Sequence, residues 1–359
     1  MDNLFKITFC FFSLLLITTS PNAFSQEVEE IVVTATKKEE STQDIAVSIT
    51  AVTADQLAAD QIYDLEDLAE IIPGFGAAKG IGSGSGFVMR GIGSYGVGAA
   101  VVSSIVTSMN GHSVNPSIMN DMGFMDLERI EVLNGPQGTL FGRNSVAGVI
   151  NLITARPTDE FEGYVDYEAG TFEKETVKGA INMPISDTVR ARLAFMSNVR
   201  EGMVDNPFTG NKMDDRNDQA VRLSIDWDIN DKTELKFTYS GQKSDDNRPQ
   251  EEVSYCQQDP FFGCSPWERG TANTAADSRG IGAGLFSFIA ALYPGTITND
   301  YANTPPSFEL GKLSVNREPT HLQDIEFSNL ELVRELSDDL TMTAKYSYET
   351  RRFQQMNDN

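Results

Sequence analysis

From about residue 161 onward, apolar and polar side chains alternate along the chain with a period of two. Between Val221 and Ile229, for example, every odd position is apolar, and the even positions hold Arg222, Ser224, Asp226 and Asp228. The same alternation recurs in the segments that begin at Phe161, Val189, Leu235 and Met342. Successive side chains of a β-strand point to opposite faces, so these segments predict strands with one apolar and one polar face.

This alternation alone fits two structures, a membrane barrel with a wet lumen and a soluble antiparallel sheet with one wet face. The spacing between the segments favours the barrel, because short and long connections alternate as they do in outer-membrane barrels. The short connections lie at residues 186–187, 230–231 and 337–339, and the long ones at about 205–217 and 243–322. The last of these is so long that a functional role is expected for it, as ligand contact or gate.

The N-terminus predicts an export signal over residues 1–25. Lys6 precedes an apolar run from Ile7 to Thr19, and Ala23-Phe24-Ser25 fits a small-x-small cleavage site. A membrane anchor is the alternative, but the run is shorter than the roughly 20 apolar residues that span a bilayer.

Residues 26–43 form a charged stretch around one short β-branched run, Ile31-Val32-Val33-Thr34-Ala35. The run has no neighbouring element to pack on, so it is interpreted either as part of a flexible tail or as a strand that a partner protein adds to. Residues 44–157 then read as a mixed α+β domain. In that domain Thr53 can cap a helix, and a second helix is predicted over 63–72, where Pro73-Gly74 ends it.

Composition and motifs exclude several classes of function. A formal net charge of -24 disfavours binding to nucleic acid, because phosphate contacts need Lys and Arg. Gly91-Ile-Gly93-Ser-Tyr-Gly96 has the form of a dinucleotide-binding loop, but it lacks the preceding strand, the following helix and the later acidic residue. No catalytic residues, metal ligands or cofactor are predicted, and the protein is not expected to be an enzyme.

The most specific pattern is the run DLERIEVLNGPQGTLFGRNSVAGVINLIT at residues 126–154, in which strand-like segments flank glycine turns. Upstream, Arg90-Gly91 follows a glycine-rich stretch. Together these segments resemble the plug domain of TonB-dependent outer-membrane receptors. The plug-motif residues that carry the resemblance are Arg90, Gly91, Arg129, Glu131, Gly135, Pro136, Gly138 and Gly142.

The resemblance implies a fold, a location and partners. The fold is an α+β plug domain (44–157) followed by antiparallel transmembrane β-barrel strands (158–359), and Ile31 to Ala35 would be the TonB box. The location would be the outer membrane of a Gram-negative bacterium, in contact with its lipid. The partners would be TonB, with ExbB and ExbD in the inner membrane, and a scarce solute such as a ferric siderophore. Carbohydrate, cobalamin or another organic nutrient is the alternative cargo, and a non-functional truncated receptor fragment is the alternative to an importer.

Two positions depart from the family pattern. Relatives usually have Asp where Asn110 stands and Arg where Asn134 stands. In the family, plug arginines and glutamates pair with barrel glutamates, so Arg90 and Glu131 are candidates for such a lock, and Asn134 removes one cation from it. Arg129 and Glu131 also fit an ordinary arrangement within the plug.

Two further expectations concern the barrel region. Cys256 and Cys264 lie eight residues apart in the long connection, and an exported protein with such a pair is expected to form a disulfide. About seven strands are predicted, against about 22 in plugged outer-membrane transporters. The barrel is therefore expected to be incomplete in this chain.

Cleavage is expected between Ser25 and Gln26, because Ala23 and Ser25 provide the two small residues that signal peptidase requires after an apolar run. Mass spectrometry of the membrane-inserted protein measures this directly. A mature form that still carries Met1 would contradict the export signal.

Overall fold

The computed structural model describes residues 32–34, 40–41, 47–79, 85–94, 103–114, 124–207, 209–248, 257–259, 263–265 and 318–356. The expected signal peptide, Ile31 and Ala35 of the expected TonB box, and the Cys256 half of the expected disulfide lie outside these residues. No helix in the described part of the chain is both long and apolar enough to cross a membrane.

The first domain is built on a five-stranded sheet. Its strands are β3 (Ile49–Thr53), β7 (Ile105–Met109), β8 (His112–Val114), β9 (Leu127–Asn134) and β10 (Gly148–Thr154), and they lie in the order β3-β9-β10-β7-β8. Strand β10 runs parallel to β7 and antiparallel to β9, so it is covered by a neighbour on each side. All residues of β7 and β10 are buried, which explains their nearly continuous apolar sequence.

The helices of this domain are short. They are α1 (Ala54–Ala59), α2 (Leu68–Ile71) and α3 (Gly138–Phe141). Thr53 caps α1 as expected, in a capping box in which Gln56 N–H donates to Thr53 Oγ1 and Thr53 N–H donates to Gln56 Oε1.

The helix expected over 63–72 is shorter than predicted. The Asp64 and Asp67 carboxylates accept hydrogen bonds from nearby backbone N–H groups and hold the chain in turns until Leu68. The regularly spaced apolar residues of this segment still pack in the main core, where Leu65, Leu68 and Ile72 are buried.

Four smaller strand groups accompany the plug and the loops. The strands β4 (Phe75–Lys79), β5 (Ser85–Met89) and β6 (Ile92–Ser94) form a three-stranded sheet in chain order. Three two-stranded pairs are β1 (Val32–Val33) with β2 (Glu40–Ser41), β14 (Val204–Asp205) with β15 (Lys212–Met213), and β18 (Gln257–Asp259) with β19 (Gly263–Ser265).

The second region is a seven-stranded antiparallel sheet whose strands are neighbours in chain order. They are β11 (Glu162–Gly170), β12 (Lys174–Ser186), β13 (Val189–Arg200), β16 (Arg216–Asn230), β17 (Thr233–Asp246), β20 (Thr320–Ser337) and β21 (Leu340–Met356). The tight turns predicted at 186–187, 230–231 and 337–339 each connect two of these strands, and the long connections lie at the opposite ends.

This sheet curves around the first domain with its polar face inward. In β16, Arg222, Ser224 and Asp226 are buried, whereas Val221 and Trp227 are exposed on the outer face. In β20, Ile325 and Phe327 join the core of the first domain. The period of two therefore gives β16 a polar inner face and an apolar outer face, as a membrane barrel requires, whereas β20 turns apolar side chains inward.

Gly148 is expected to be irreplaceable, because a Cβ at this position would overlap the Met89 sulfur and the Leu133 carbonyl oxygen. Gly148→Ala is expected to lower the free energy of unfolding of the plug by about 1–3 kcal/mol through overpacking. Urea unfolding of the purified receptor, followed by a fluorophore in the plug, measures this. Gly138→Ala is the control, because a Cβ added at Gly138 would meet nothing within 4 Å; equal stability of the two variants would contradict the packing argument.

Candidate functional site

The buried carboxylate of Glu131 lies at the centre of the plug. It stands on β9, between β3 and β10, and its residue is fully buried. Arg129 Nε donates to its Oε1 at 2.9 Å, and Asn151 Nδ2 donates to its Oε2 at 3.0 Å. Both oxygens are thus hydrogen-bonded, which a buried anion requires.

Asn151 extends this contact to the neighbouring strand. Its Oδ1 accepts from Ser108 Oγ at 2.7 Å and from the Gly111 N–H at 3.0 Å. The amide orientation of Asn151 is therefore fixed from both sides, and Nδ2 must point at Glu131.

The N-terminal segment reaches the same carboxylate. Thr34 N–H donates to Glu131 Oε1 at 2.8 Å, and Thr34 Oγ1 lies 3.3 Å from the same oxygen. Val33 is fully buried, and β1 pairs with β2 in antiparallel fashion. The sequence suggested a segment with nothing to pack on; in the structure, Val33 and Thr34 pack on the plug because a buried acceptor is present there.

The glycine-turn residues of the motif are held by backbone geometry. Gly91, Gly135 and Gly142 have φ of 78°, 92° and 74°, a region that favours glycine. Pro136 follows the second of these turns, and Gly138 begins α3. Arg90 is exposed on the plug, where its Nη2 donates to Ser48 Oγ at 3.1 Å.

The expected lock between plug and barrel has a different form in the described residues. Glu131 pairs with Arg129 inside the plug, in agreement with the alternative interpretation, and Arg90 has a plug hydroxyl as partner. Asn110 adopts φ of 52° and bonds to Thr154 through both its side-chain groups. Asn134 donates its backbone N–H to Ser48 O at 2.9 Å, and its Oδ1 is buried without a hydrogen-bond partner among the described residues.

Contacts that the sequence reasoning missed join plug and barrel near Asp126. Arg192 of β13 donates to both Asp126 oxygens, at 2.8 and 2.6 Å, and Tyr164 of β11 donates to Oδ1 at 3.2 Å. Arg222 of β16 donates to Met125 O at 2.8 Å. Alternation had put Arg192 and Arg222 on the polar face, but no local pattern indicated which plug residue they meet.

A second junction lies where the plug continues into the barrel. Arg156 pairs with Asp226 of β16, and its Nη1 donates to Thr238 Oγ1 of β17 at 3.0 Å. Burial lowers the pKa of the Arg156 guanidinium below its ordinary value, and the carboxylates of Glu331 and Glu234 oppose that shift. Arginine stays charged in proteins, so the pair is ionic.

The described residues contain no group of three or more His, Cys, Asp or Glu side chains that could hold a metal ion. The buried groups of the site instead form paired and bridged contacts between segments. This arrangement can hold one segment against another.

Comparisons with known proteins identify this architecture. Residues 41–149 match the family model described as the TonB-dependent receptor plug domain. The pesticin receptor of Yersinia pestis is 25% identical over 210 residues, which are 55% of this chain and 29% of that protein. The ferrichrome outer membrane transporter/phage receptor of Escherichia coli K12 is 30% identical over 143 residues, which are 38% of this chain and 18% of that protein.

Solved structures show the same fold. The ferric yersiniabactin uptake receptor of Yersinia pestis superposes with a TM-score of 0.67 at 17% identity, over 87% of this chain and 42% of that one. The ferripyoverdine receptor of Pseudomonas aeruginosa gives 0.63 at 15% identity, over 89% and 36%. The chain thus spans less than half the length of these receptors.

The fold and the comparisons define a plugged β-barrel receptor. These findings support a TonB-dependent outer-membrane receptor: residues 41–149 match its plug domain, and the strands that follow have the fold of part of its barrel. This confirms the predicted fold class, the incomplete barrel and the outer-membrane location in a Gram-negative bacterium. The family is one of receptors and transporters.

Glu131→Gln is expected to loosen Thr34 from the plug. The glutamine amide can take two orientations. In one, its nitrogen faces Asn151 Nδ2, so that two donors meet. In the other, its nitrogen faces Thr34 N–H and Arg129 Nε, which then lose their acceptor. The lost contacts are expected to lower plug stability by about 1–3 kcal/mol. A spin label on Val32→Cys, in a Cys256→Ser/Cys264→Ser background, reports the mobility of the segment.

Glu128→Gln is the matched control, because Glu128 pairs with the same Arg129 but is far more exposed and lacks the contact with Thr34. Its label mobility is expected to equal that of the parent. An equally immobile label in the Glu131→Gln variant would show that Glu131 does not hold this segment.

Proposed function

We propose that the protein actively imports a scarce solute across the outer membrane, driven by TonB, and that this solute is a ferric siderophore. The observation that carries the proposal is the docking of Thr34 on the buried Glu131 of the plug. A short extended segment thus lies on the plug, where a partner that pulls on the segment would act on the sheet directly.

The coupling segment is Ile31 to Ala35, the proposed TonB box. Partners that add a strand bind through main-chain hydrogen bonds, so the segment needs an extended backbone more than particular side chains. The short β1 strand already has this conformation. It pairs with β2 over only two residues, so a strand of the partner could replace β2 at little cost. TonB, energised by ExbB and ExbD, is the proposed partner.

The barrel lumen is the proposed route of the solute. Its wall on β20 carries buried polar side chains with atoms that lack a hydrogen-bond partner among the described residues: both ring nitrogens of His321, Gln323 Nε2 and Asn329 Nδ2. Buried polar groups without a partner are costly, so they favour a path that admits water or polar solute. The connection over 247–319 precedes this strand and is proposed to contact or gate the ligand.

The names of similar proteins support the siderophore over other cargo. They include a ferric-pyoverdine 358 receptor of Pseudomonas putida, an iron-regulated outer membrane virulence protein of Vibrio cholerae and the ferrichrome transporter. A vitamin B12 transporter of Vibrio vulnificus is also similar, at 27% identity. Import of cobalamin, carbohydrate or another organic nutrient therefore stays the second candidate.

Val32→Pro is expected to abolish uptake while ligand binding at the cell surface persists. Proline removes the backbone N–H and fixes φ, so an added strand cannot pair with it. Val32→Thr is the control, because it keeps the β-branched preference for extended backbone. The probes are radioiron-loaded yersiniabactin, pyoverdine and ferrichrome, with labelled cyanocobalamin for the second candidate, and binding and uptake are measured separately.

Parent-level uptake by the proline variant would overturn TonB coupling through this segment. Uptake of cyanocobalamin alone would replace the siderophore by the second candidate. Absence of uptake and binding for every probe would contradict both cargo classes.

A further inference from the structure

We propose that Asp126 holds one side of the plug in the barrel, by forming an ionic junction with Arg192 that Arg222 flanks. In this junction the plug supplies the anion and the barrel supplies the cation. This is the reverse of the lock expected from the resemblance, in which plug cations meet barrel glutamates.

The geometry of the Asp126–Arg192 contact is bidentate. Arg192 Nε lies 2.8 Å from Oδ2, and Nη2 lies 2.6 Å from Oδ1. The two side chains are only 4% and 11% exposed, so solvent does little to screen the pair. Two parallel hydrogen bonds between a guanidinium and a carboxylate fix orientation as well as distance.

Arg222 flanks this pair and contacts the same backbone. It is 2% exposed and donates to Met125 O at 2.8 Å, to the backbone carbonyl of Asp126 at 3.4 Å and to Ser240 Oγ at 3.2 Å. Loss of the Asp126 charge would therefore leave Arg192 as a buried cation without its anion, next to the buried Arg222.

The backbone around Asp126 transmits the contact into the plug sheet. Asp126 directly precedes β9, and its carbonyl accepts from the Ala155 N–H at 3.0 Å, just beyond the end of β10. The residue thus closes the open end of the β9–β10 pair with its backbone and binds the barrel with its side chain. Its φ is 49°, a conformation that Asp and Asn tolerate better than most residues.

The junction involves three barrel strands, because Tyr164 of β11 donates to the same carboxylate that Arg192 of β13 binds, and Arg222 of β16 lies beside it. The other ionic contact between plug and barrel among the described residues, Arg156–Asp226, lies where the chain itself joins the two. Asp126 therefore adds a second ionic contact beside the chain connection, through other barrel strands than the β16–β17 pair that Arg156 contacts.

The test measures release of the plug without any ligand or TonB, so its failure is separate from failure of the proposed function. The receptor with its complete barrel is purified and inserted into planar phospholipid bilayers, and channel opening is recorded as conductance at rising urea. Asp126→Asn is the main variant, because Asn keeps the shape and tolerates the positive φ. The fraction of open channels at fixed urea is expected to rise about a hundredfold, the effect of breaking a buried pair.

Arg192→Gln is expected to act in the same direction. The double variant Asp126→Asn/Arg192→Gln is expected to open no more than about as much as the stronger single variant, because both changes remove one contact. The control is Arg190→Gln, on the same strand and face, whose ion-pair partners are Asp159 and Asp228. It is expected to match the parent.

Parent-level opening by Asp126→Asn and Arg192→Gln would overturn the proposal. So would a double variant in which the two effects multiply, since that marks independent contacts. If Asp126→Asn does not assemble a heat-modifiable barrel, Arg192→Gln decides: it removes the cation, and opening at the parent level would again contradict the junction.

Discussion

The structure depends on the need to satisfy charged groups that are buried between the plug and its surroundings. Glu131 and Asp126 lie on or beside the same strand, β9, and both are buried. The first is satisfied by Arg129, Asn151 and the N-terminal segment, the second by Arg192 and Tyr164 of the barrel. Breaking a buried pair such as Asp126–Arg192 costs about 3–5 kcal/mol, far more than a surface ion pair contributes.

Strand β9 consequently connects the three parts of the molecule. Its hydrogen-bonded neighbours β3 and β10 make it central to the plug sheet. One end faces the barrel through Asp126, and its middle faces the N-terminal segment through Glu131. A force on Thr34 would thus enter the plug on the same strand that Asp126 fastens to the barrel. This arrangement fits the proposed coupling, in which TonB pulls on the N-terminal segment and the plug responds.

The barrel wall has a different environment on each face, with lipid outside and the plug and water inside. Its outer face is apolar because polar side chains there cannot find hydrogen-bond partners in lipid. Its inner face can carry Arg192, Arg222 and Asp226 because the plug supplies oppositely charged or polar partners for them. The inner face of β20 also carries polar atoms without a partner among the described residues, and the proposed solute route passes along them.

The sequence by itself determined the features that local chemistry controls. The period of two predicted the strands β11, β13, β16, β17 and β21 and the inward face of Arg192 and Arg222, and short polar runs predicted the tight turns. The cap at Thr53 and the glycine turns at Gly135 and Gly142 also follow from neighbouring residues, since capping and positive φ are local properties.

Only the tertiary structure decided which charged groups meet. Arg192 is 66 residues from Asp126 along the chain, and Thr34 is 97 residues from Glu131. Periodicity predicts the face of a strand on which a side chain lies, but not which distant residue it contacts. The sequence therefore predicted that Arg192 lies on the inner face and could not predict its partner. The helix expected over 63–72 was likewise shortened by Asp64 and Asp67, whose carboxylates compete with the helix for backbone N–H groups. Pairing across the chain depends on how the sheets pack, and that packing exists only in the folded molecule.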